Sequence, residues 1–187
     1  MSDIVIISGS PSENSKTKNV LNYLGTLLEQ EGLPIKHISV KNVTSDVLFE
    51  GKYDSPEIQH ISSLLQDAKG VIIGSPVYKG AYSGVLKALI DLLPQDVLKH
   101  TPVLPLMTGG SPSHLLALDY ALKPVLASLK AHNLKGLYFQ DTEIDKQSEI
   151  PIIDEDILQR TKGQLYYFIQ LVNNSSCSSN LYSSNHL

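Results

Sequence analysis

At 187 residues and 42% hydrophobic content, the chain suits one domain with a substantial core. A net charge of −4 with scattered lysines and arginines argues against a nucleic-acid surface. No apolar run approaches the ~20 residues that cross a bilayer, so no membrane partner is expected. A strand pattern begins almost at once, so no signal peptide is expected. The single cysteine, Cys177, excludes an internal disulfide framework and has no His or acidic cluster around it, so neither metal nor catalysis is assigned to it. A cytoplasmic location is the simplest expectation.

In chain order, Ile4, Val5, Ile6 and Ile7 form an apolar run that reads as a buried strand. A polar turn follows over 8–17, and Val20, Leu21, Leu24, Leu27 and Leu28 then mark a helix over 19–31, closed by Gly32 and Pro34. Residues 35–40 alternate as a strand nearer an edge, with His37 facing solvent. Residues 41–55 show no period and are expected as a long connection. Ser55 and Pro56 open a helix striped by Ile58, Ile61, Leu64 and Leu65. Val71, Ile72 and Ile73 form the next buried strand, and Val85 to Leu93 the helix after it. A strand over 103–107, a long helix over 115–131 with Pro124 inside it, a strand over 134–139, an acidic loop over 140–151 and a helix over 154–172 complete the pattern. Residues 173–187 are rich in Asn and Ser and read as a mobile tail outside the 1–172 domain.

Strand and helix alternate five times, which predicts a doubly wound parallel α/β sheet, flavodoxin-like, five-stranded and ordered 2-1-3-4-5 with helices on both faces. In that order ligands bind beyond the C-terminal ends of strands 1, 3 and 4. Those ends carry the Gly/Ser-rich turns 8–17, 75–84 and 108–113.

The first turn lacks both Gly-x-Gly-x-x-Gly and Gly-x-x-x-x-Gly-Lys-Ser/Thr, so neither the usual dinucleotide fingerprint nor a P-loop is present. A strand, a hydroxyl-rich turn with Ser10, Ser15 and Thr17, and a helix start suit a monophosphate. The same residues also serve ordinary turn and capping chemistry. Pro76, Tyr78, Lys79 and Tyr82 in the second turn offer apolar edges and main-chain donors to a planar ligand, and Thr108, Gly109 and Gly110 let backbone approach its other side. Each of these turns also reads as plain connection.

Gly9-Ser10-Pro11 with Ser15 and Thr17 resembles the phosphate loop of the NAD(P)H-dependent FMN reductase family. Pro76-Val77-Tyr78 and Tyr82 to Lys87 resemble that family's second flavin loop and following helix. Thr108-Gly109-Gly110 with His114 to Leu126 is most similar to the FMN reductases of two-component alkanesulfonate monooxygenase systems. The resemblance spans about 4–139. It implies that Ser10, Ser15, Lys16 and Thr17 hold the FMN phosphate, and that Pro76, Val77, Tyr78 and Lys79 border the isoalloxazine, with Thr108, Gly109 and Gly110 opposite. One departure is Ser12, where many relatives carry Arg, which bears on NADPH preference and leaves NADH open.

Pro124 has no N–H, so the Tyr120 carbonyl loses its helical donor and the helix must kink, bulge or hydrate there. In the sulfonate-system enzymes the matching tyrosine lies in a π-bulge at a subunit interface, which makes Tyr120 a candidate flavin-transfer or interface residue. No acid/base catalyst is assigned: His114 is read as structural, and Asp91 and Asp119 as solvated or ion-paired. The resemblance implies hydride transfer from NADPH to FMN, reduced flavin passed to a monooxygenase in sulfonate sulfur assimilation, and a homodimer or homotetramer. An FMN-bound quinone or azo reductase and a flavodoxin-like electron carrier are the alternatives.

Overall fold

The computed structural model describes the backbone of residues 4–182 and the side chains of 4–174. Strands β1 (Ile4–Ser8), β2 (Ile35–Ser39), β3 (Gly70–Pro76) and β4 (Pro102–Gly109) pair in parallel in the order 2-1-3-4. The fifth position is shared by two short strands, β5 (His132–Asn133) and β6 (Leu137–Gln140), both parallel to β4. The predicted 2-1-3-4-5 order is therefore present.

Alternation along the strands builds two cores. Val5, Ile7, Val71, Ile73 and Val103 face one side, covered by helices α3 (Pro56–Gln66) and α4 (Gly84–Asp91) and by Leu126 of α5 (Lys123–Ser128). Ile4, Ile6, Ile72, Leu104 and Leu106 face the other, covered by α1 (Lys16–Gln30) and α6 (Glu155–Tyr182). Successive strand residues point to opposite faces, and both faces carry helices, which is why the strands read as unbroken apolar runs. All eight residues of β4 are buried, as befits a central strand. Strand β2 is an edge. His37 stands exposed on it, its Nε2 3.1 Å from where a Gly25 Cβ would lie, and desolvation lowers its pKa.

Four sequence expectations need correction. The segment 41–55 is not a featureless connection: it continues the 3₁₀ turn Val40–Asn42 and contains α2 (Ser45–Phe49), which bury Val40 and Val47. A one-turn helix buries too few side chains to show a period.

The strand expected over 134–139 is interrupted. Between the pairs Val103–Asn133 and Leu106–Leu137, β4 has two residues and its neighbour has three. This is a bulge, and Gly136 absorbs it at φ +84. Opposite the bulge lies Pro105, which has no N–H to pair.

The helix expected over 115–131 is three pieces: a 3₁₀ turn Pro112–Leu115, a π-helical turn Leu118–Leu122 and α5. The Lys123 N–H reaches the Leu118 carbonyl, an i→i−5 bond. The expected distortion beside Pro124 is thus a π-turn, and Tyr120 sits in it 79% exposed. Finally, helix α6 does not stop at Val172 but continues to Tyr182. The side chain of Cys177 and residues 183–187 lie outside the described residues.

Candidate functional site

The first loop leaves β1 at Gly9, whose N–H donates to the Gly74 carbonyl at 2.7 Å. A Cβ on Gly9 would stand 2.8 Å from Leu86 Cδ2, so only glycine lets this turn pass under α4. Ser83 caps α4, accepting from the Leu86 N–H at 3.1 Å, and donates its own hydroxyl to the Gly9 carbonyl at 2.5 Å. Ser75 Oγ accepts from the Ser83 N–H at 2.9 Å. Two buried serines of the second loop thereby clamp the first.

The third turn is bound into the same unit. The Val77 N–H donates to the Thr108 carbonyl at 2.7 Å, and the hydroxyls of Thr17 and Thr108 meet at 2.7 Å. Gly109 is enclosed: a Cβ there would lie 2.8 Å from the Tyr138 hydroxyl, 3.1 Å from His114 Nδ1 and 3.3 Å from Val77 Cβ. The Tyr138 hydroxyl donates to the Ser111 carbonyl. Burial, then Asp141 and Glu143, push the Tyr138 phenol above the ordinary tyrosine value. The expected convergence of the three turns is therefore a bonded network.

The predicted site residues are placed as follows. Ser10 is buried and accepts from the Ser12 N–H at 3.3 Å. Ser15 caps α1, accepting from the Lys18 N–H at 3.0 Å; its own O–H remains a donor. Lys16 donates its ammonium to the Asp141 carbonyl, which fastens the first loop to the end of β6. Thr17 is fully buried and meets Thr108 rather than solvent. Tyr78 and Ala81 exchange backbone bonds at 2.8 and 3.1 Å around Lys79 (φ 52) and Gly80 (φ 81), so the second loop ends in a tight turn with two left-handed residues. Pro76 and Val77 are half-buried and Tyr78 is 47% exposed. Thr108 and Gly109 are buried and Gly110 is exposed. Tyr120 lies on the π-turn outside this hydrogen-bonded network. Asp91 and Asp119 form i,i+4 ion pairs with Lys87 and Lys123, at 2.6 and 2.5 Å, which leaves both as surface pairs.

Sequence reasoning missed several contributors. Ser83 carried a readable signal, a serine two residues ahead of the apolar stripe that begins at Val85. Tyr138 and Asp141 carried none, because they reach the rim from a strand far along the chain. Around the first loop four lysines gather, although the chain as a whole is acidic. Lys16 holds the Asp141 carbonyl, Lys146 donates to the Asn14 carbonyl at 2.7 Å, and Lys18 and Lys41 both pair with Glu13. The Lys41 and then the Lys18 hydrogen bonds hold the Glu13 carboxyl below the usual range.

Beneath the rim, Ser8 Oγ is buried without a hydrogen-bond partner among the described residues, as is His114 Nδ1 at the third turn. The start of α1 faces the same rim with its positive dipole end. No group of metal-ligating side chains occurs among the described residues, and no helix there is long and apolar enough to cross a membrane.

A parallel 2-1-3-4-5 sheet whose three loops join at the switch point is the flavodoxin-like fold, in which that rim is the usual place for a ligand. The NADPH-dependent FMN reductase family matches residues 2–144. The chain is 42% identical over 142 residues to an FMN reductase (NADPH) of Pseudomonas putida, covering 75% of this chain and 72% of that protein. It is 38% identical over 168 residues to an FMN reductase (NADPH) of Escherichia coli K12, covering 89% and 88%. The solved apo form of an NADH:FMN oxidoreductase (EMOB) superposes with a TM-score of 0.78 at 33% identity, covering 90% of this chain and 88% of that one. The chain belongs to the NADPH-dependent FMN reductase family and is an NAD(P)H:FMN oxidoreductase. The residues present fit FMN in their chemistry, with hydroxyls and a helix N-terminus suited to a phosphate and two buried polar atoms, Ser8 Oγ and His114 Nδ1, without partners at the rim among the described residues.

Proposed function

We propose that this enzyme passes hydride from NADPH to FMN at the three-loop rim, with NADH as the alternative donor, and releases the reduced FMN to a flavin-dependent monooxygenase in sulfonate sulfur assimilation. The observation that carries the rim assignment is the hydrogen-bonded union of the three loops through Ser83, Thr17–Thr108 and Val77–Thr108. Bound FMN supplies the hydride acceptor. The chain's own work is orientation. The start of α1, with Ser10 and Ser15, receives the phosphate. Lys16 and Thr17 fix that loop's position. Pro76, Val77, Tyr78 and Lys79 shape one wall, and Thr108, Gly109 and Gly110 the other. Hydride transfer from carbon needs no protein acid, so no side chain is assigned that role.

Release of flavin and supply to a monooxygenase are supported by the resemblance of 108–126 to the sulfonate-system reductases and by the π-turn that carries Tyr120. Tyr120 and Leu116 are 79% and 59% exposed on the segment after the third turn. This surface suits a homodimer or homotetramer interface, with Tyr120 at it. The test is steady-state NADPH oxidation by purified enzyme against added free FMN. The expected result is a rate that saturates with FMN and leaves little yellow protein after gel filtration. Turnover that ignores added FMN, with flavin retained through filtration, instead makes it an FMN-bound quinone or azo reductase. No oxidation of either nucleotide points to an electron carrier.

A further inference from the structure

A well-formed cleft lies away from the rim. A cavity of about 620 Å³ opens at the free edge of the sheet, between β6 and α6, and its lining includes Pro112 and Leu115 from the segment just behind the third turn. That volume falls in the ordinary range of small-molecule sites. Its chemistry is uneven in a way that specifies a ligand. Leu115 and Ile157 give it apolar walls, and Lys135 and Arg160 stand at it with no carboxylate paired to either among the described residues. The one carboxylate in the lining, Glu143, is already held by the Gln140 N–H at 2.8 Å. Gln164 lines the cleft, and its Oε1 is buried behind that lining without a hydrogen-bond partner among the described residues, a cost that is relieved if the amide turns toward a donor in the cleft. Lys135 reaches the cleft because it stands beside Gly136 in the bulge of the fifth strand.

Tyr138 belongs to both places. Its side chain lines the cleft, and its hydroxyl holds the Ser111 carbonyl and abuts Gly109 in the flavin turn. We propose that this cleft is a second ligand site, for a small amphipathic anion with an apolar body and one hydrogen-bond donor, and that its occupancy changes FMN affinity through Tyr138. The anion meets Arg160 and Lys135, the donor meets Gln164 as its amide turns toward the cleft, and the apolar body lies against Leu115 and Ile157. The binding half stands apart from the flavin assignment. The coupling half rests on it, and the two fail separately.

Hippurate is a suitable probe, since it combines a phenyl ring, an amide N–H and a carboxylate. Calorimetry on the full-length protein is expected to show hippurate binding about tenfold tighter than neutral hippuramide or N-methylated hippurate, which lack the charge and the donor. Arg160→Gln is expected to weaken hippurate about tenfold, to leave hippuramide unchanged, and to leave FMN-dependent NADPH oxidation without hippurate at the wild-type rate. Titration of FMN by fluorescence quenching, with and without saturating hippurate, is expected to give different dissociation constants in wild type and equal ones in Tyr138→Phe. Equal binding of the three probes, or no binding because a second copy of the chain fills the cleft, overturns the site. A hippurate-independent FMN constant in wild type overturns the coupling even if hippurate binds.

Discussion

Ser83 joins more of the site than its position suggests. Its side chain caps α4 and reaches the Gly9 carbonyl, and its N–H is held by Ser75. Ser83→Ala leaves the buried Gly9 carbonyl and Leu86 N–H without that hydroxyl. A loss of about 1–3 kcal/mol in chemical denaturation is expected, with weaker FMN binding. Gly109→Ala acts differently, since its Cβ would press on the Tyr138 hydroxyl and His114 Nδ1. FMN affinity is expected to drop by about tenfold or more, and Tyr138→Phe in the same chain to restore part of it, because the closest atom is then gone. Tyr138 also makes a pH prediction. Its phenol is raised in the folded protein, so that protein holds the proton longer than the unfolded chain. Stability is therefore undiminished below the unfolded tyrosine pKa of about 10 and falls as pH rises through the folded value. Denaturant midpoints measured upward from pH 9 are expected to fall less steeply in Tyr138→Phe than in wild type.

Among the elements, the π-turn Leu118–Leu122 shows how much a single residue discloses. Pro124 told of a lost donor and a distortion near Tyr120, and the structure places one there. What it did not tell is that the whole segment breaks into 3₁₀, π and α pieces, because Leu118, Leu122 and Leu126 keep a helix-like apolar spacing throughout and all three are buried. Pro124 sits where the π-turn runs directly into α5, and the wider π-turn accommodates its missing N–H. Pro124→Ala is expected to change stability by less than about 1 kcal/mol. A gain near 3 kcal/mol, measured by denaturant unfolding, would mean that the ring strains a helix interior. The interrupted fifth strand is a parallel case: Leu134, Leu137 and Phe139 read as one apolar run, while the bulge depends on Pro105 in the neighbouring strand, which no local pattern reports. α2 escaped for a third reason, being a single turn.

For the whole molecule, the strand order and the rim were legible because they follow from chain-wide regularities. Apolar runs alternate with helical stripes, and the order 2-1-3-4-5 sends the ends of β1, β3 and β4 to one side. The three predicted loops do meet at one rim, but the contacts that join them were not legible. Lys16 and Thr17 hold the loops together, while Tyr138, Asp141 and Lys41 reach the site from other parts of the chain by contacts that exist only after folding. The same distance from local pattern applies to the cleft at the sheet edge, which needs β6, the bulge and α6 assembled before it exists. Composition also concealed a local fact: a chain of net charge −4 concentrates four lysines around one turn. That concentration favours a phosphorylated ligand over its uncharged parent.

The central claim, that the first loop holds a flavin phosphate while the other two embrace the ring, is most directly tested by comparing FMN with riboflavin in fluorescence titrations of the wild-type protein. With a helix start and two hydroxyls on the phosphate, FMN is expected to bind at least about a hundredfold tighter than riboflavin, with the difference shrinking as salt is added. Equal affinity for the two flavins would contradict the account, because it would leave the first loop with no ligand to hold.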